Sequence, residues 1–310
     1  NNQGKGTQDP PEPESKPGGG AKKRIKNNDR SFLLRLWDFF AYAPALTGAT
    51  SDHLTQLSDG DFNDRLIGRI DGKQKFDPAL FAFISQNLIE ALGQRDIQLS
   101  DMSFEYGYQV DAFKTAQELN VFHFSAAKTI AEIMVLNRLY RESTSFEEFY
   151  KKASKETDVF NKTWQKTEYQ TATNIASSWQ TYHRLLKKVG VYPYWEYKTI
   201  GDDKVREEHV RLDGIILPAN DPRWRKIWPP NGWKCRCYIV PRLKHEVTNE
   251  KIEESRRIVD EYLASEDWAK VEAQGFGINR ALEEEVFTAN QMYLNKFPTR
   301  AGKLLKGINY

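Results

Sequence analysis

Cysteine is almost absent from this 310-residue chain: there are two, Cys235 and Cys237, with a single residue between them. That excludes a disulfide framework and points to a reducing compartment. Long apolar runs are missing too. No stretch of about 18 apolar residues occurs, so the sequence offers no membrane span. The most apolar early stretch, Phe32 to Phe40, is broken by Arg35 and Asp38 and lacks the uninterrupted apolar region and cleavage site of a signal peptide. Charge of one sign is not in excess either. The formal net charge is +2, so attraction to a polyanion has to come from a local patch. No P-loop, Gly-rich dinucleotide motif, nucleophile elbow or internal repeat is present. The chain begins at Asn1, which leaves a fragment, a processed product and part of a fusion equally open.

What is there divides by composition and periodicity. Residues 1–30 are rich in Gly, Pro, Lys and Asn with nothing to bury, and they read as a disordered tail or linker. Residues 31–100 read as a helical N-terminal region, with helices over Ser31–Ala43 and, capped by Asp77, over Pro78–Leu92. Residues 101–190 are helical again, with apolar spacing over Val110–Leu119, Ser125–Tyr140 and Val159–Lys188, and Ser145 with Glu148 at the capping-box offset. At about residue 191 the pattern changes. Strand alternation over Tyr192–Ile200 is followed by a helix over Asp202–Leu212, a strand over Ile215–Leu217, a loop over Pro218–Trp233 and a strand over Arg236–Val240. Residues 246–310 return to helix, over Asn249–Glu272 and Arg280–Tyr293. The expectation is an α+β protein: a mostly helical body, a small antiparallel β unit at about 191–245 and a helical C-terminal tail.

The residues that packing alone does not demand sit in that β unit. Arg206, His209 and Asp213 fall at i, i+3 and i+7, on one face of the predicted helix, and Gly214 follows as its stop. Downstream come Pro229, Pro230, Asn231, Gly232 and Trp233, then Cys235–Arg236–Cys237. The order Arg-x-x-His-x-x-x-Asp-Gly followed by Pro-Pro-Asn-Gly-Trp-x-Cys-Arg-Cys resembles the phage Mu F-like head morphogenesis family, the minor head proteins of tailed phages and prophages. Phe124–Lys128, Ser145–Phe149 and the helix carrying Glu168, Thr171, Ala172 and Asn174 resemble the family's helical lead-in, so that the likeness runs from about Asp101 to Pro241.

The resemblance implies a structural minor head protein. It would be made in the bacterial cytoplasm, act in procapsid morphogenesis near the portal, and end up in the virion. Its partners would be the portal and other head proteins, with DNA as a further contact and no membrane. It also implies that residues 1–100 are an appended region. No cofactor is expected from it.

The residues themselves leave other readings open. His209 with Cys235 and Cys237 supplies three zinc ligands, with His245 or Asp213 as a fourth, whereas two cysteines on one side of a strand also serve as small core residues. A zinc-stabilised interaction module is therefore one alternative. A nuclease or toxin-like enzyme is another, with His209 as acid or base, Glu208 or Asp213 orienting it and Arg206 holding an anion. The plainer reading makes His209 and Asp213 a buried hydrogen-bonded pair that fixes the helix against the loop. Between Asp221 and Lys244, seven basic residues face one acid. There Arg223, Arg225, Lys226, Lys234 and Arg236, interleaved with Trp224 and Trp228, read as a nucleic-acid patch in which cations meet phosphates and indoles stack on bases.

Overall fold

The computed structural model describes residues 60–93, 104–283, 285–291 and 293. The linker at 1–30, the helix expected over Ser31–Ala43 and the end of the chain lie outside them. Helices α1 (Gly60–Gly68), α2 (Pro78–Gly93), α3 (Phe104–Glu142), α4 (Phe146–Asp158) and α5 (Gln165–Leu186) form the body. The two helical patterns over Val110–Leu119 and Ser125–Tyr140 are one continuous helix, because no breaker separates them. Asp77 caps α2 as expected, its Oδ1 accepting from the Leu80 amide at 2.8 Å. Ser145 caps α4 through the Glu148 amide, while Glu148 reaches back one residue further, to the Thr144 amide. A π-turn over Val159–Trp164 leads into α5. Within α3, Ala116–Glu142 is long and apolar enough to cross a membrane, but its most apolar window is 67% buried against the other helices. It is the core helix of the body, packed on α2 and α4, and α2 in turn packs on α5.

A chain of polar residues runs through this core. Lys128 Nζ, fully buried, lies 2.5 Å from Glu168 Oε2 and 2.8 Å from Gln165 Oε1. One turn along α3, Glu132 accepts from Asn161 Nδ2 at 2.8 Å, and Asn161 also donates to Asn63. Burial pushes the Glu132 carboxyl up to about 8, against the opposing pull of Lys128 and Asn161.

The second unit is a three-stranded antiparallel sheet in the order β2–β1–β3, from β1 (Tyr194–Lys198), β2 (Ile216–Pro218) and β3 (Tyr238–Arg242). Trp195 of the central strand pairs with Leu217 on one side and Pro241 on the other. Between β1 and β2 the predicted helix over Asp202–Leu212 is reduced to a single turn, α6 (Glu207–Val210). The loop after β2 holds another single turn, α7 (Trp224–Ile227). Helix α8 (Asn249–Leu263) covers β2, and Ser265 splits the expected long helix by capping α9 (Glu266–Ala273) through the Trp268 amide. The helix expected over Arg280–Tyr293 is not formed. Its described residues as far as Gln291 are turns, bends and irregular backbone, and they fold back onto α3. Asn120 there accepts from the amides of Val286 and Phe287 and donates to the Phe287 carbonyl, and Phe287 stacks on Phe124 at 3.9 Å. Apolar spacing was a poor guide in that segment because its apolar residues are buried one by one against an existing surface.

Two apolar cores result. One lies within the helical body. The other gathers Trp179, Tyr182 and Leu185 from α5 with Trp195, Trp224, Trp228 and the apolar faces of α8 and α9. Trp233 packs against both, edge-on to Phe276 at 5.5 Å and stacked with Phe287 at 6.2 Å.

Glu132 binds its proton more tightly when folded than when unfolded. The stability it contributes is therefore complete below about pH 4.5 and is lost as pH rises to about 8. Within that window its share of the loss approaches about 1.4 kcal/mol per pH unit. Thermal melts from pH 5 to pH 9 are expected to fall more gently for Glu132→Gln than for the parent. Parallel profiles for the two proteins would show that this carboxyl does not carry the dependence.

Candidate functional site

The loop from Trp228 to Cys237 is held in place by one face of α5. Thr171, Asn174 and Ser178, spaced i, i+3 and i+7, put three short polar side chains along that face. Thr171 Oγ1 accepts from the Lys234 amide at 3.1 Å, and Asn174 Nδ2 donates to the Cys235 carbonyl at 2.8 Å. Ser178 Oγ accepts from Trp228 Nε1 at 2.7 Å and donates to the Pro229 carbonyl. Irregular backbone that passes through the interior needs such partners, because each unpaired buried polar group costs about 1–3 kcal/mol. The loop also closes on itself: Asn231 Nδ2 donates to the Ile227 carbonyl at 2.6 Å and the Cys235 amide to the Gly232 carbonyl at 3.1 Å. Gly232 is required by a close approach, since a Cβ there would stand 2.7 Å from Arg206 Nη1 and 3.5 Å from His209 Nε2. Lys234 takes a left-handed conformation, φ 57°, at the point where the chain turns Cys235 inward.

That turn brings both thiols to His209. The His209 side chain is buried, with Nε2 3.3 Å from the Asn231 carbonyl and Nδ1 3.6 Å from Cys235 Sγ and 3.5 Å from Cys237 Sγ. A carbonyl only accepts, so Nε2 carries the proton and Nδ1 presents its lone pair to the sulfurs. The Cys235 thiol is pulled well down chiefly by its hydrogen bond with Cys237, while the bond with Cys235 and burial push Cys237 up. Tyr197, wholly buried in β1, closes the cluster beside Cys237 and Asn231, and its phenol is raised chiefly by burial. The three residues expected as metal ligands, His209, Cys235 and Cys237, are thus brought together, all three ligand atoms lying within 4.8 Å of one another. Among the described residues neither His245 nor Asp213 joins them.

Asp213 does not pair with His209. With α6 only one turn long, the i+7 residue leaves the face shared by Arg206 and His209. Its carboxylate instead accepts from the Thr199 amide at 2.7 Å, the Thr199 hydroxyl and Lys198 Nζ. Partial burial works to raise this carboxyl and is outweighed by those bonds, which hold it below the usual range. Gly214, at φ 74°, then turns the chain into β2, its amide bonded to the Tyr197 carbonyl. Arg206 Nη2 donates to the Trp233 carbonyl at 2.7 Å, so the guanidinium also serves the loop. Glu208 is half-buried on α6.

The stacking part of the nucleic-acid reading is corrected by the structure. Trp224 and Trp228 are 3% and 1% exposed and belong to the second core, where they meet Trp195 and each other edge-on or tilted at 5.4–6.0 Å. Most of the cations have carboxylate partners: Arg223 with Asp221 and Asp260, Lys226 with Glu272, Arg236 with Asp202. Arg225 and Lys234 are exposed. Sequence reasoning assigned no site role to Ser178 or Tyr197, placed Thr171 in the seam of its helix, and knew Asn174 only through the family likeness. The available signal was three short polar residues at helical spacing on a face whose other members are Ile175, Trp179 and Tyr182.

The described site combines a helix-clipped loop, a small sheet and a histidine–cysteine cluster, and the comparisons place this arrangement in a class of phage proteins. Residues 136–240 match the family described as Phage Mu protein F like protein, a range that takes in α5, the whole loop and the sheet as far as Val240. Through this segment the chain is similar to the phage Mu F-like family. It is 30% identical over 129 residues to the Mu-like prophage FluMu F protein of Haemophilus influenzae, covering 42% of this chain and 28% of that protein. It is 36% identical over 73 residues to the putative capsid assembly protein F of Escherichia phage Mu, covering 24% of this chain and 17% of that protein. The chain thus spans less than a third of the length of either relative. No solved structure matches it.

Replacing Ser178 by Ala removes both of its bonds to the loop and leaves Trp228 Nε1 and the Pro229 carbonyl without this partner. Urea unfolding followed by tryptophan fluorescence is expected to show a loss of about 1–3 kcal/mol. A variant within about 0.5 kcal/mol of the parent, the range of ordinary surface changes, would show that this clip is not what holds the loop.

Proposed function

We propose that this chain is a structural component of a phage or prophage head, acting in head morphogenesis close to the portal. The observation that carries this reading is an overlap of two segments. The segment that matches the Mu F-like family contains α5, the clipped loop and nearly all of the sheet, which together build the histidine–cysteine site. The relative from phage Mu is described as a putative capsid assembly protein, and a role in assembly suits a module whose polar groups are spent on holding a loop in a fixed shape. The rim of that loop is cationic and engaged largely in ion pairs, which are suited to being exchanged for acidic groups of a neighbouring head protein.

The test is genetic and structural. In the phage or prophage that encodes this chain, deleting the gene is expected to lower the yield of DNA-filled heads. The protein is expected in purified heads and to crosslink to the portal. Normal heads from the deletion strain together with absence of the protein from particles would overturn the reading. Presence in heads without portal crosslinks would remove only the location.

A further inference from the structure

We infer that His209, Cys235 and Cys237 hold a zinc ion through Nδ1 and the two sulfurs, with a single water as the fourth ligand. The geometry is that of a site whose ligands are already in position. With Zn–N near 2.05 Å and Zn–S near 2.3 Å, tetrahedral angles put nitrogen and sulfur about 3.6 Å apart. The two separations in the structure are 3.6 and 3.5 Å. Plain hydrogen bonding accounts for the cluster less well. Nδ1 has one lone pair, so it accepts from one thiol at a time and leaves the other thiol to the neighbouring sulfur, yet the two sulfurs stand 3.6 and 3.5 Å from it. A metal uses both.

The surroundings supply what a metal-bound imidazole needs. Its other nitrogen is held by the Asn231 carbonyl at 3.3 Å, which fixes the ring and leaves Nδ1 as the ligand atom. Two thiolates and a neutral imidazole balance the charge of a divalent ion, so the buried site carries no net charge. Cys-x-Cys spacing serves here because the left-handed Lys234 and the turn at Gly232 aim both sulfurs to one side. The fourth position opens into a cavity of about 20 Å³ bordered by Ile200, Val205, Arg206 and Lys234, enough for about one water and too small for a further side chain. Zinc would then tie α6 to the loop, a covalent counterpart to the clip that α5 applies from the other side.

The full chain, expressed with zinc in the medium and purified without chelator, is expected to carry one zinc per molecule by elemental analysis. After chelation and addition of cobalt, it is expected to show the thiolate-to-cobalt charge-transfer band and the strong visible bands of a tetrahedral site. Cys235→Ser, Cys237→Ser and His209→Ala should each lose the metal and most of the cobalt spectrum, whereas Asp213→Asn and His245→Gln should keep both. Chelation should also lower the Tm of the parent and leave that of Cys237→Ser, the ligand nearest the surface, unchanged. A folded parent that contains no zinc and develops no cobalt band would overturn the proposal. So would metal retained equally by all five variants, which would place it elsewhere. Should His209→Ala fail to fold, the two serine variants and the parent's cobalt titration still decide.

Discussion

Everything distinctive in this chain depends on one contact: the polar face of α5 against the backbone of the loop from Trp228 to Cys237. A loop that enters the interior with two prolines, an asparagine and a glycine brings carbonyls and amides that regular structure would otherwise pair. Thr171, Asn174 and Ser178 take up three points of that backbone and the Trp228 indole nitrogen, and they do so from a rigid helix. The positions of His209's partners follow from this. The Cys235 carbonyl is fixed by Asn174, and its side chain turns inward to His209. Asn231 is anchored through its side-chain amide on the Ile227 carbonyl, and its own backbone carbonyl stands where the imidazole can reach it.

The acids and bases around the site divide along the same line. Buried carboxylates, Glu168 with Lys128 and Asp221 with Arg256, join elements distant in sequence. Exposed pairs such as Arg236 with Asp202 are screened by solvent, so their arrangement bears on what the surface can meet more than on how firmly it is folded. The indoles that look, in sequence, like an exposed set beside these cations are the reason the loop has a core at all.

Much of the fold was legible in the sequence, and the failures have physical causes. The helical body, the change at about residue 191, the antiparallel sheet and the Asp77 and Ser145 caps follow from periodicity and capping chemistry, which are local. The short α6, the course of residues 280–293 and the partner of Asp213 depend on tertiary contacts that no local pattern encodes. A face shared by Arg206, His209 and Asp213 presupposes two full helical turns. The chain supplies one, because Gly214 and the Thr199 amide draw Asp213 toward the sheet. The convergence of His209 with Cys235 and Cys237 was readable as chemistry from residue types alone. That both sulfurs face one nitrogen was not, since it depends on a left-handed lysine two residues after a glycine.

Trp233 sits in the seam between the two cores, and α5 and the returning segment at Phe287 feed the two sides of that seam. The family-matched stretch, 136–240, therefore stops short of a self-contained fold. It lacks α2, which closes the body against α5, the helices α8 and α9, which roof the sheet, and Phe287, which backs Trp233. Sequence similarity and physical autonomy part company here. The shared part is the inner joint of a larger assembly of helices, and a relative that embeds the same joint in a longer chain must furnish its own walls around it.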